Sequence, residues 1–115
     1  MSPLDLHRFE TLVADALDQL PDELAVLIDN VAVVVEDENP DEPDLLGLYE
    51  GIPLTEREAY GGLELPDRIS IYRLPLCALA ADESEVVEEV LVTVVHEIAH
   101  HFGIDDERLH ALGWE

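Results

Sequence analysis

The sequence has no lysine. Its basic residues are five scattered arginines, Arg8, Arg57, Arg68, Arg73 and Arg108, against 28 Asp and Glu, for a formal net charge of −23. With no stripe of cations to neutralise phosphates or anionic lipid, neither a nucleic acid nor a membrane is expected as a partner; the charge favours a basic peptide. Cysteine is nearly absent. The lone Cys77 excludes an internal disulfide framework, and its neighbours Leu74, Leu76 and Leu79 point to a buried thiol. No run approaches the ~18 apolar residues of a membrane span, and the acidic N-terminal stretch lacks the basic region and apolar core of a secretion signal. The expected location is the cytoplasm. Repeats and long linkers are missing too, so 115 residues with 48% hydrophobic content are expected to form one domain over residues 1–115. The sequence is compatible with a homodimer and does not require one. Mimicry of nucleic acid needs carboxylates gathered on one face, whereas here they occur in every segment.

What is present reads as alternating helix and strand. Ser2-Pro3-Leu4-Asp5 offers a cap, a proline at the first helical position and an early carboxylate, followed by Leu6, Phe9, Leu12, Val13, Ala16, Leu17 and Leu20 at helical spacing up to Pro21. A short helix over 22–28 follows, then a β-branched run over 31–36 expected to be a buried strand. The stretch 36–44, EDENPDEPD, holds six carboxylates and two prolines and is a loop. Residues 45–50 and 68–74 read as strands, with Gly61, Gly62 and Pro66 marking a turn between them. Asp82 with Glu85 three residues later opens a long helix that runs without Gly or Pro to Gly103.

That helix carries His96-Glu97-Ile98-Ala99-His100. At about 100° per residue the two histidines lie roughly 40° apart and one turn apart in height, so both imidazoles can reach one ion. Val87, Val90, Leu91, Val94 and Ile98 form a core arc, leaving Glu89, Thr93, His96, Glu97 and His100 on a polar face. Gly103 lets the chain reverse through a left-handed conformation so that Asp106 approaches from a third side; its neighbour Asp105 is the competing carboxylate. Two imidazoles and one carboxylate leave a fourth tetrahedral position open, the arrangement of catalytic rather than structural zinc. Glu97 is angled to serve as a base, taking a proton from the attacking water and passing it to a leaving amine. Metal binding without catalysis, and surface histidines that merely complement the helix dipole, are the competing readings. His101 is placed near the core margin as a C-terminal helix residue, and His110 in a solvated tail.

At these residues the chain resembles the zincin metallopeptidases whose motif is HExxHxxGxxD, and more closely a small bacterial family of single-domain minimal zincins. The likeness extends over FETLVADALDQLPDEL, LLGLYEGIPLTER, LPDRISIYRLPL and VVHEIAHHFGIDDERL, of which only the last has a chemically explicit motif. It implies an α/β (α+β) fold, with a small mixed sheet packed against a backing helix and a long active-site helix, and an edge strand able to align an extended peptide. It implies zinc on His96, His100 and Asp106, with Glu97 as catalytic base in a zinc-dependent metallopeptidase acting on peptides or proteins. The alternative is a non-catalytic zincin-like domain that binds metal or protein. The chain departs from the larger metzincin pattern in its aspartate ligand and in lacking a methionine turn, since Met1 is its only methionine. Trp114 is expected to pack beneath the ligands in place of that turn. Tyr49, Tyr60, Tyr72 and His101 are the unranked candidates for stabilising an oxyanion.

Overall fold

The computed structural model describes residues 1–51, 66–111 and 113. The segment 52–65, with Tyr60 and the expected turn glycines, lies outside them, as do Leu112 and Trp114.

Helix α1 spans Leu6–Leu17 and starts later than the Ser2-Pro3 signal suggests. Asp5 is its cap, accepting the Arg8 N–H at 2.9 Å, and just ahead of it the Leu4 carbonyl accepts from the Arg73 guanidinium at 2.6 Å. The helix closes at Asp18, ahead of Pro21. Of its expected apolar positions, Phe9, Leu12, Val13 and Ala16 are buried, whereas Leu6 is exposed and Leu17 half-buried. Helix α2, Asp22–Ala25, runs into a 3₁₀ turn, Val26–Ile28. Strands β1 (Val31–Glu36), β2 (Gly47–Glu50) and β3 (Asp67–Tyr72) follow. They form a mixed sheet in the order β1-β3-β2, with β1 parallel and β2 antiparallel to β3. Central β3 is buried at Ile69, Ser70, Ile71 and Tyr72. The valine-rich β1, expected to be buried, is only half-buried, and among the described residues it has a single neighbouring strand, β3.

The register sorts side chains with period two. Val31, Val33 and Val35 of β1, Ile69 and Ile71 of β3, and Gly47 and Tyr49 of β2 share the face that meets the helices. On the other face Arg68 pairs across strands with Glu50 at 2.8 Å. Helix α3, Arg73–Leu79, replaces the expected end of the third strand; it tolerates Pro75 because the first turn has no intrahelical partner for a backbone N–H. Cys77 within it is buried. Helix α4, Glu83–Phe102, packs against α1, α3 and the sheet, placing Val86, Val90, Val94 and Ile98 in one core with Phe9 and Ile69. Among the described residues no helix is long and apolar enough to cross a membrane.

Candidate functional site

The site is built at the C-terminal end of α4. Asp82 caps the other end by accepting the Glu85 N–H at 2.9 Å, and Glu83 and Glu85 complement the dipole there. Gly103 leaves the helix at φ 69° and ψ 29°, and Ile104 N–H returns to the Ala99 carbonyl at 2.8 Å. This left-handed closure satisfies terminal carbonyls and turns the chain back on itself. A short helix α5, Asp106–Ala111, then begins, where the sequence suggested only a tail. It is anchored by Leu109, which is 2% exposed.

The turn brings the four expected site residues together. His96, Glu97, His100 and Asp106 line one surface pocket of about 450 Å³, completed by Ala99, Ile104 and Leu109. His96, His100 and Asp106 are exposed, while Glu97 is half-buried. The tandem carboxylates have different employment. Asp105 accepts the Arg108 N–H at 2.8 Å as the cap of α5, whereas Asp106 faces the pocket. Among the described residues, no three His, Cys, Asp or Glu side chains already stand as a closed metal cage. The donor set nevertheless suits zinc: two imidazoles one turn apart and a carboxylate from the next helix, all with exposed side chains able to rotate.

Other parts of the sequence-based picture change. Thr93, expected on the polar face, is 8% exposed because it lies against the sheet at Gly47, where a Cβ would come within 2.6 Å of its Cγ2. His101 leaves both the core and the pocket. Its exposed ring stacks on Tyr49 of β2 with centroids 3.8 Å apart, and its Nε2 is 4.0 Å from the Asp67 carboxylate, to which the Tyr49 hydroxyl donates at 2.8 Å. Of the oxyanion candidates, Tyr72 is remote: its hydroxyl accepts from Asn39 of the acidic loop at 3.0 Å. Tyr60 and Trp114 lie outside the described residues. His110 is exposed on α5.

Sequence reasoning did not reveal the main chain of Tyr49. Its backbone N–H donates to Glu97 Oε1 at 2.9 Å, tying the edge strand to the residue expected to act as base. A hint lay in Gly47, since glycine inside a strand often marks a close approach by another element.

Comparison with known proteins agrees with this architecture. The family model of zincin-like metallopeptidases matches residues 28–114. No curated protein gives a significant match. A solved structure of a conserved hypothetical protein from Thermo thermophilus is similar over 86% of this chain and 94% of that one, at 21% identity and a TM-score of 0.56. That likeness is one of fold.

Proposed function

This chain belongs to the zincin-like metallopeptidase family, and we propose that it is a zinc-dependent metallopeptidase that hydrolyses peptide bonds without a covalent intermediate. The observation that carries the reading is the gathering of His96, Glu97, His100 and Asp106 around one pocket. His96 and His100, as neutral imidazoles, and Asp106, as a carboxylate, would hold the ion. When bound, zinc supplies a Lewis acid that polarises the scissile carbonyl and makes water nucleophilic near neutral pH. Glu97, on the helix between the two histidines, accepts the proton of the attacking water and delivers it to the leaving amine. The net charge of −23 favours basic peptides over acidic ones as substrates.

The test separates binding from catalysis. Protein purified without chelator should take up one zinc per chain, and Glu97→Gln should keep that zinc while lowering peptide hydrolysis by about two orders of magnitude or more. Equal activity in the variant removes Glu97 as base. A parent that binds zinc and cleaves no member of a broad peptide library is a metal-binding domain, not a peptidase.

A further inference from the structure

A groove of about 660 Å³ lies between the end of α1 and the first half of α4, and it shares no lining residue with the candidate metal pocket. On α4 it is lined by Ser84, Val87, Glu88 and Leu91, the i, i+3, i+4 and i+7 positions of a single helical stripe. Asp15, Asp18 and Gln19 form a matching stripe on α1 and its cap. Two such stripes side by side make a valley of the shape that a third helix fills. Its floor is apolar, with Val87 half-buried and Leu91 9% exposed, and its rims are acidic, with Asp15, Asp18 and Glu88 all exposed. The rim charges are placed at a cost to the fold. Asp15 and Asp18 stand at the negative end of the α1 dipole, where no basic residue offsets them, whereas the carboxylates that open α4 favour their helix. Nor are they neutralised from elsewhere. Arg8, two turns before Asp15 on the same side of α1, is committed to Glu83, Arg68 to Glu50 and Arg73 to Asp37.

We propose that this valley is the docking site of a cationic amphipathic helix from a partner protein, whose apolar stripe covers Val87 and Leu91 and whose arginine or lysine flanks pair with Asp15, Asp18 and Glu88. Charge selects the occupant. A second copy of the chain would bring another −23, and nucleic acid and anionic lipid meet the same repulsion. A small cation would answer the rims and leave the apolar floor in water, whereas a helix with leucines on one side and cations beside them answers both. The stripe from Ser84 to Leu91 rises about 10 Å, so about two turns of the partner make the contact. A helix that short is marginal when free and gains its order on docking. The inference does not rest on the peptidase reading, because the groove uses neither a metal ligand nor Glu97.

The experiment titrates the ¹⁵N-labelled chain, in the Glu97→Gln background so that no probe is cut, with the capped peptide acetyl-(Leu-Arg-Ala-Arg-Leu-Arg-Ala)₂-Leu-amide at about 0.15 M salt, where long-range attraction is screened. This peptide places leucines on one side of a helix and arginines beside them. Binding should move the amides of Asp15, Asp18, Ser84, Val87 and Glu88 and raise the peptide's helical circular dichroism. Neutralising the rims with Asp15→Asn, Asp18→Asn and Glu88→Gln together should weaken binding roughly tenfold, the combined effect of three exposed ion pairs of small individual worth. Removing the same charge from the acidic loop with Asp41→Asn, Glu42→Gln and Asp44→Asn should change it less than about twofold. The rim variant is expected to fold, since it takes carboxylates from the wrong end of a dipole; if it does not, Ser84→Tyr, at an exposed position, fills the valley and must weaken binding instead. A peptide with serine in place of every leucine should bind roughly tenfold more weakly than its parent. Equal losses from rim and loop, or equal affinity of the serine peptide, show diffuse attraction and overturn the proposal. So do amide shifts gathered at His96, His100 and Asp106, spermine matching the peptide in shifts and affinity, or self-association of the free chain through the same amides. An uncut peptide library would end the peptidase reading and leave these readouts as they stand.

Discussion

Gly47→Ala tests the contact on which the site's geometry depends. An alanine Cβ at this position would lie 2.6 Å from Thr93 Cγ2 and 3.2 Å from the Ser70 carbonyl oxygen. Neither neighbour yields easily. Thr93 is β-branched on a helix and 8% exposed, and Ser70 belongs to the central strand. Overpacking of this kind costs about 1–3 kcal/mol, and the loss of glycine's freedom in the unfolded chain offsets about 0.4–1 kcal/mol of that. The net expectation is about 1–2 kcal/mol, or about 4 °C in Tm per kcal/mol for a domain of this size. Urea unfolding of metal-free protein measures it, with the midpoint falling at unchanged m-value. Thr93→Ser removes the clashing methyl, so in that background the Gly47→Ala penalty should shrink to roughly a third or less; contacts that share a clash are non-additive. An alanine variant as stable as its parent refutes the reasoning. So does an equal penalty in both backgrounds, which would show that the strain does not arise at Thr93.

The remaining expectations follow from other parts of the molecule. Asp106→Asn should weaken zinc binding by about tenfold or more while Asp105→Asn leaves it close to the parent, because Asp105 is engaged as the cap of α5; competition with a chromophoric chelator decides it, and the reverse order transfers the ligand role to Asp105. Gly103→Ala should cost about 1–2 kcal/mol in urea unfolding, since its φ of 69° is left-handed while a Cβ there meets nothing within 4 Å; an unchanged midpoint removes the conformational argument. The Arg8 guanidinium beside Glu83 joins α1 to α4 and holds that carboxyl below its ordinary value of 4.5. A depressed folded-state value contributes stability above the ordinary value and loses it as pH falls through the depressed one. The gap in urea midpoint between the parent and Arg8→Ala should therefore narrow from about pH 7 to about pH 3, and a constant gap excludes the pair as its source.

What could be read in advance was local. Asp82, Glu85 and Gly103 mark both ends of α4 by capping chemistry contained within a few residues, and His96, Glu97 and His100 sit on one helix whose geometry fixes their spacing. Asp106 is reached through one turn from that helix, so its place beside the histidines was also within range. The strand order β1-β3-β2 was not, because it joins residues far apart in sequence, and with it went the half-exposed state of the Val31–Val35 run. Thr93 and His101 were misplaced for the same reason. Periodicity gives the direction of a side chain around the helix axis but does not show that a glycine strand covers Thr93 or that a tyrosine ring waits for His101. The bond from Tyr49 to Glu97 uses a backbone N–H, which every residue except proline has, so no pattern of residue types could mark it.

The position of β3 between its two partners has a consequence for how the molecule opens. Releasing β3 would break both strand ladders and bring Ile69 and Ile71 into water, which amounts to global unfolding. Detaching β2 breaks one ladder of four paired positions, and of its residues only Gly47 is buried. The free energy of that excursion therefore lies well below the global value, and the backbone amides of β2 belong to a cooperative unit separate from those of the core. Cleavage by a foreign protease that attacks such partial openings would sever the chain near the site while α1 and α4 remain packed. The strand beside the candidate site is also the part the protein can lose first without losing its fold.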